Sequence, residues 1–115
     1  MDINTFLSEL DNLFASKRFS EVDDFLKDNY DKAVTEQDIN AQITILNEMA
    51  GYYREATRYK EAVRCVDQSR KIMDELGMQK TMQYATTLIN EANAYRAAGL
   101  CEHALECYAQ VEEIY

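Results

Sequence analysis

Apolar residues recur at steps of three and four along almost the whole chain. Ile3, Phe6, Leu10 and Leu13 form the first such series, widened by Leu7 and Phe14. Val22, Leu26, Tyr30 and Ala33 form the second, with Phe19 and Phe25 flanking. The third runs Ile39, Ile43, Leu46, Ala50, Tyr53, broadened by Ile45 and Met49, and the fourth Tyr59, Ala62, Val63, Val66, Met73, Leu76. Met82, Ala85, Leu88, Ala92 and Tyr95 make the fifth, and Ala104, Leu105, Tyr108, Val111 and Ile114 the sixth, which is still periodic at Tyr115. That spacing lines one face of a helix, so each series predicts an amphipathic helix with its apolar face inward. The pattern predicts six helices in three antiparallel pairs and no strands.

The residues between the series read as helix ends. Asp2 is placed to cap the first helix, and Ser20 the second, with Asp23 three residues on as a capping box. Thr35, followed by Glu36 and Asp38, reads as the start of the third helix, with acids where the helix dipole favours them. Thr57 reads as the cap of the fourth. Gly77 and Gly99 read as stops, because glycine enters the left-handed conformation without steric cost.

The chain also repeats itself. Slid forward by 42 residues, Leu46 to Val66 falls on Leu88 to Tyr108 with seven identities: Leu46/Leu88, Ala50/Ala92, Tyr53/Tyr95, Arg54/Arg96, Ala56/Ala98, Ala62/Ala104 and Cys65/Cys107. Unrelated stretches of that length share roughly one or two. A weaker echo places Lys17 to Val22 on Thr57 to Ala62 at a shift of 40. Self-similarity at such a period marks a helical repeat array, and its terminal repeat is expected to be atypical. The repeats fall at about 2–34, 36–77 and 79–115 of a single array.

These residues resemble the tetratricopeptide repeat. That motif has a large apolar residue, a small one and an aromatic on its first helix, then a turn with Gly, then an obligatory small residue on its second. Leu46, Ala50, Tyr53, Tyr59, Ala62 and Val66 fill these positions in the second repeat; Leu88, Ala92, Tyr95, Gly99, Ala104 and Tyr108 do so in the third. Thr57 stands where the turn glycine is usual, Ser69 where another Ala often stands, and the repeat-ending proline is missing. The period exceeds the usual one of about 34, as in the longer repeats of kinesin light chains and bacterial peptide-responsive regulators. The resemblance implies an all-α solenoid, a right-handed superhelix of helix pairs. It also implies a non-enzymatic scaffold that binds a protein or peptide in a groove lined by the first helix of each pair. A sensory half of a peptide-responsive regulator, with its effector domain elsewhere, is the alternative it implies.

Carried onto this chain, the groove face is Asn47, Gly51 and Arg54 on the third helix and Asn90, Asn93 and Arg96 on the fifth. An Asn amide carries both a donor and an acceptor for a peptide backbone, and Arg54 and Arg96 can each grip a carboxylate with two N–H groups. Gly51, mid-helix at a cost of about 1 kcal/mol, leaves room for a close backbone approach. Solvated helix surface is the plain alternative for the same residues.

Charge narrows the partners. The 115 residues carry 21 acidic against 12 basic side chains, a formal charge of −9. That argues against nucleic acid and against an anionic membrane. No apolar run spans a bilayer and no signal peptide opens the chain, so a cytoplasmic location is expected. Apolar residues make up 47%, with three Gly and no Pro, which excludes a disordered tail and a turn-rich β fold. The three cysteines, Cys65, Cys101 and Cys107, are expected to be reduced.

Catalysis and metal binding find no motif. His103 and Cys107 share a helix face, but Cys101, two residues from His103, points elsewhere, and two ligands do not close a zinc site. No metal and no cofactor are expected. The acids Glu21, Asp23, Asp24, Glu61, Asp67, Glu102, Glu106, Glu112 and Glu113 read as a solvated face. The last helix offers Leu105, Tyr108, Val111, Ile114 and Tyr115 with no capping helix after it, so either the array continues or this face pairs in a homodimer.

Overall fold

The three-and-four periodicity is realised as six α-helices in a computed structural model that describes residues 1–114. They are α1 (Ile3–Ala15), α2 (Phe19–Thr35), α3 (Ile39–Glu55), α4 (Tyr59–Glu75), α5 (Met82–Ala97) and α6 (Cys101–Ile114). No strand occurs among the described residues. The last position of the expected apolar stripe, Tyr115, lies outside them.

One kind of helix end punctuates the chain. After α1 the Arg18 N–H bonds to the Leu13 carbonyl at 2.9 Å and the Lys17 N–H to that of Phe14 at 3.1 Å, with Lys17 at φ 57°. The same pair of bonds closes α2 through Gln37 and Asp38, α3 through Thr57 and Arg58, α4 through Gly77 and Met78, and α5 through Gly99 and Leu100. This crossed pair with a left-handed residue is the Schellman motif, and it satisfies carbonyls that the helix leaves unpaired. Only two of the five left-handed positions are glycine; Lys17, Gln37 and Thr57 hold the others at φ 56–60°.

These ends correct three expected caps. Ser20 lies inside α2, whose N-cap is Arg18 without a side-chain cap bond. Thr35 is the last residue of α2 rather than the start of α3. The cap before α3 is Asp38, whose Oδ1 accepts the Ala41 N–H at 3.1 Å. Thr57 occupies the left-handed position, and Arg58 is the N-cap of α4. At Ser20 the helix starts two residues earlier, from Arg18, whereas a Schellman turn explains the shifts at Thr35 and Thr57. That turn uses the residue after the helix for the left-handed step and launches the next helix one residue later, so the cap falls further along. Arg18 and Arg58 reach forward instead, each pairing with the acid three residues on, Glu21 and Glu61. Asp2 and Thr81 cap as their side chains suggest: Asp2 accepts from the Asn4 and Thr5 N–H groups, Thr81 from that of Tyr84.

The chain falls into two compact units, Met1–Ile45 and Leu46–Tyr115, with the boundary inside α3. In the first, Phe6 and Leu10 of α1 and Val22, Leu26 and Ala33 of α2 are buried. The Phe6 and Phe25 rings stack at 5.5 Å between centroids. The terminal amine is tied down by Glu36 at 3.1 Å and Asp38 at 3.4 Å, which hold its pKa above the usual value.

In the second unit the buried residues are small wherever helices meet closely: Ala62, Cys65 and Ser69 on α4, Ala85, Ala92 and Ala94 on α5, Ala104 and Cys107 on α6. Small side chains let helix axes approach to about 8–10 Å. Larger residues, Leu46, Tyr53, Val66, Met73 and Leu88, fill the space between. Four residues expected to face inward are exposed instead: Ile39, Leu76, Met82 and Leu105. Ile39 and Met82 open their helices and Leu76 follows the end of α4, where the buried stripe has run out. Leu105 sits one position round from Ala104, about 100° off the Ala104–Cys107–Val111 stripe.

Candidate functional site

The six residues expected to face a groove all lie in the second unit, on α3 and α5. Asn47 turns toward α5, its Nδ2 donating to Thr87 Oγ1 at 3.2 Å. Asn93 Oδ1 accepts from the Tyr108 hydroxyl at 2.8 Å and meets Arg96 Nη2 at 3.5 Å. Arg54 is half-buried beside Glu55, with 4.0 Å between charged atoms. Asn90 is half-buried and makes no side-chain hydrogen bond among the described residues. Around Gly51 nothing lies within 4 Å of where a Cβ would stand. The structure therefore joins Asn93 to Arg96 and ties Asn47 to α5. It brings Arg54 and Arg96 into no direct contact among the described residues.

A second constellation was not expected. Glu91, on the buried face of α5, is 2% exposed. Arg70 of α4 answers it: Nη1 lies 3.0 Å from Oε2 and 3.3 Å from Oε1 of Glu91. The guanidinium also donates from Nε to the Tyr84 hydroxyl at 2.9 Å and from Nη2 to Gln110 Oε1 of α6 at 3.3 Å. The Tyr84 hydroxyl in turn donates to Asp74 Oδ1 at 2.8 Å. From α6, the Cys107 thiol donates to Glu91 Oε2 at 3.2 Å, and His103 Nε2 stands 3.4 Å from Oε1. The His103 ring rests against Tyr95, 3.8 Å between centroids, and the Tyr95 hydroxyl bonds to the Asp67 carboxylate at 3.3 Å.

Burial and the negative charge of Glu91 set the electrostatics here. Burial, with Glu91 second, pushes the Cys107 thiol up to about 12 and holds the Asp67 carboxyl above the usual range. Tyr95 is pushed up to about 12 by burial and then by Asp67. A buried carboxylate is tolerated only when paired and hydrogen-bonded, and this one has partners from two neighbouring helices. The cluster thus stitches α4, α5 and α6 together. His103 is its opening to solvent, at one side of an open cleft of about 610 Å³ lined by Tyr95, Gly99, Leu100, Cys101, Glu102 and His103.

One sequence signal did mark Glu91. It sits three residues after Leu88 and four before Tyr95, inside the apolar stripe of α5, where an acid has no business unless something answers it. Arg70, four residues after Val66, interrupts the stripe of α4 in the same way.

Helix pairs joined by three-residue turns, with small residues at the crossings and a repeat of about 40 residues, define a helical-repeat scaffold. Residues 41–115 match the sequence profile of the tetratricopeptide repeat, and the chain belongs to that family. Repeats of this family generally mediate protein–protein interaction, and the family is typically non-catalytic. No curated protein and no solved structure matches the chain. No helix among the described residues is long and apolar enough to cross a membrane.

Proposed function

We propose that the chain binds an extended peptide segment of a partner protein along the first helices of its repeats, α3 and α5. The observation that supports this reading is the set of polar groups on α3 and α5 whose bonding capacity the fold does not use up. Among the described residues Asn90 has an amide without a bond, and the polar partners of Arg54 and Arg96 are near neighbours on their own helices, Glu55 and Asn93. A peptide backbone needs such amides, and a carboxylate needs such guanidinium groups. Gly51 leaves open space beside them. Asn47 and Asn93 play a different part, holding α5 to α3 and α6 through Thr87 and Tyr108. A peptide-sensing role coupled to an effector would use the same groove and differ only in what binding triggers.

The test replaces Arg54 and Arg96 by Ala together. Each charge-assisted bond lost is worth about 1.5–3 kcal/mol, so affinity for a partner captured by the wild-type protein should fall at least tenfold by calorimetry. An unchanged affinity in the double variant overturns the groove. Self-association through α6 stands beside this reading, because Leu105 is 67% exposed on its outer side. Light scattering at rising concentration reads it, and the mass of one chain throughout would exclude it.

A further inference from the structure

Glu91, His103 and Cys107 have more in common than a hydrogen-bond network. One carboxylate oxygen, one imidazole nitrogen and one sulfur lie together within 4.8 Å of one another, on the adjacent helices α5 and α6. We propose that these three side chains form a binding site for a single transition-metal ion of the zinc type, with the fourth position open to the cleft beside His103.

The donor set argues for the ion class. A thiolate and an imidazole select zinc-like metals over magnesium or calcium, which prefer all-oxygen cages. Bond lengths of about 2.0–2.3 Å to oxygen, nitrogen and sulfur place tetrahedral ligand atoms roughly 3.5 Å apart. The three ligand atoms lie within 4.8 Å of one another, and each of the two Glu91 oxygens already meets one of the other donors: Oε1 is 3.4 Å from His103 Nε2 and Oε2 3.2 Å from Cys107 Sγ, so a closure of about 1 Å completes the set. His103 and Cys107 are one helical turn apart on α6 and face the same way, while Glu91 enters from α5. Cys101 stands exposed outside this set, as its two-residue spacing from His103 implies, and the third ligand comes from Glu91 of α5 instead.

The surroundings serve such a site. Arg70 grips Glu91 mainly through Oε2 and leaves Oε1 turned toward His103, which orients the carboxylate as an outer-shell partner does. Its positive charge opposes a cation, and the Asp74 carboxylate counters it. Glu91 and Cys107 are buried, but the His103 side chain is 37% exposed and borders the 610 Å³ cleft, so an ion reaches the site past the imidazole. On binding, the Cys107 S–H proton leaves to solvent, its electron pair stays on sulfur and is shared with the metal, and the hydrogen bond to Glu91 is exchanged for the metal bond.

Cobalt(II) titrated into chelator-treated protein is the direct probe. The wild-type chain should take one equivalent and develop the thiolate-to-cobalt charge-transfer band with the intense visible bands of tetrahedral cobalt, which zinc then bleaches. Cys101→Ala should behave as wild type. Cys107→Ala should lose the charge-transfer band, and His103→Gln should weaken binding at least tenfold, with circular dichroism confirming that both variants remain helical. The wild-type spectrum needs no variant to fold. Absence of the band in the wild type at excess cobalt overturns the site, as does a band that survives in Cys107→Ala or disappears in Cys101→Ala.

Discussion

Thr57 is the residue most at odds with its place. Its φ of 60° puts a β-branched side chain where the backbone and Cβ crowd each other, in the turn where the next repeat has Gly99. Its hydroxyl recovers little, bonding only to the adjacent Ala56 carbonyl. Thr57→Gly is expected to stabilise the protein by about 1 kcal/mol, the left-handed strain relieved less the added freedom of the unfolded chain. Thermal melts would show it, and the same change at the unbranched Lys17 should gain less. Cys65 carries a different kind of stress. Burial, with Glu61 second, holds its thiol at about 11 against an ordinary 9.0. Between those values the unfolded chain has lost a proton that the folded chain keeps, so stability falls as pH rises from 9.0 to about 11. The thiol's part of that fall is up to about 3 kcal/mol. The unfolding free energy from urea titrations should fall by that much more in wild type than in Cys65→Ala across this range, the variant being flatter. Parallel slopes would place the proton elsewhere.

At the scale of elements, the α4–α5–α6 junction rests on Arg70 as much as on its apolar contacts. Removing one partner of a buried ion pair costs about 3–5 kcal/mol; Arg70 is a quarter exposed, so Arg70→Ala is expected to cost about 2–3. Glu91→Gln keeps the shape and should cost less, because the freed guanidinium can reach water. A double-mutant cycle between them should return a coupling above about 1 kcal/mol, and purely additive losses would mean the pair contributes nothing as a pair. The elements themselves were largely legible in the chain: six series of apolar residues became six helices, and Ala50, Ala62, Ala92 and Ala104 lie buried as their repeat positions require. The helix starts were less so, because Ser20, Thr35 and Thr57 have the chemistry of caps while the backbone keeps Ser20 and Thr35 inside α2 and spends Thr57 on a turn. Glu91 escaped notice for a related reason. Periodicity counts which faces are apolar; it marks a single acid inside a stripe as out of place, but that Arg70 of the neighbouring helix answers it is set by the packing. Of the groove residues, Asn47 and Asn93 could not be separated from Asn90 in sequence, since their partners Thr87 and Tyr108 are distant in the chain.

Over the whole molecule the excess of acids dominates. A formal charge of −9 on 115 residues means self-repulsion in the folded state that the expanded chain relieves. Moderate monovalent salt screens charges over roughly 10 Å at 0.1 M, so the melting temperature should rise on going from low to moderate salt. A fall would show that local pairs such as Arg18–Glu21 and Arg58–Glu61 outweigh the global repulsion. The same excess would draw in a partner segment with basic character and slow the approach of an acidic one.

A scaffold of near-equivalent helices faces one hazard that charge and burial do not remove. Where helices meet through Ala85, Ala92, Ala94 and Ala104, small side chains look much alike from one turn to the next, and a helix could slide lengthwise by a turn with little apolar loss. The Glu91 carboxylate removes that freedom. Only one alignment of α4, α5 and α6 puts the guanidinium, thiol and imidazole around it, and any other strands a charge in a dry seam at a cost of several kcal/mol. The cluster is an indexing pin: it makes the repeat's interchangeable teeth engage at a single notch.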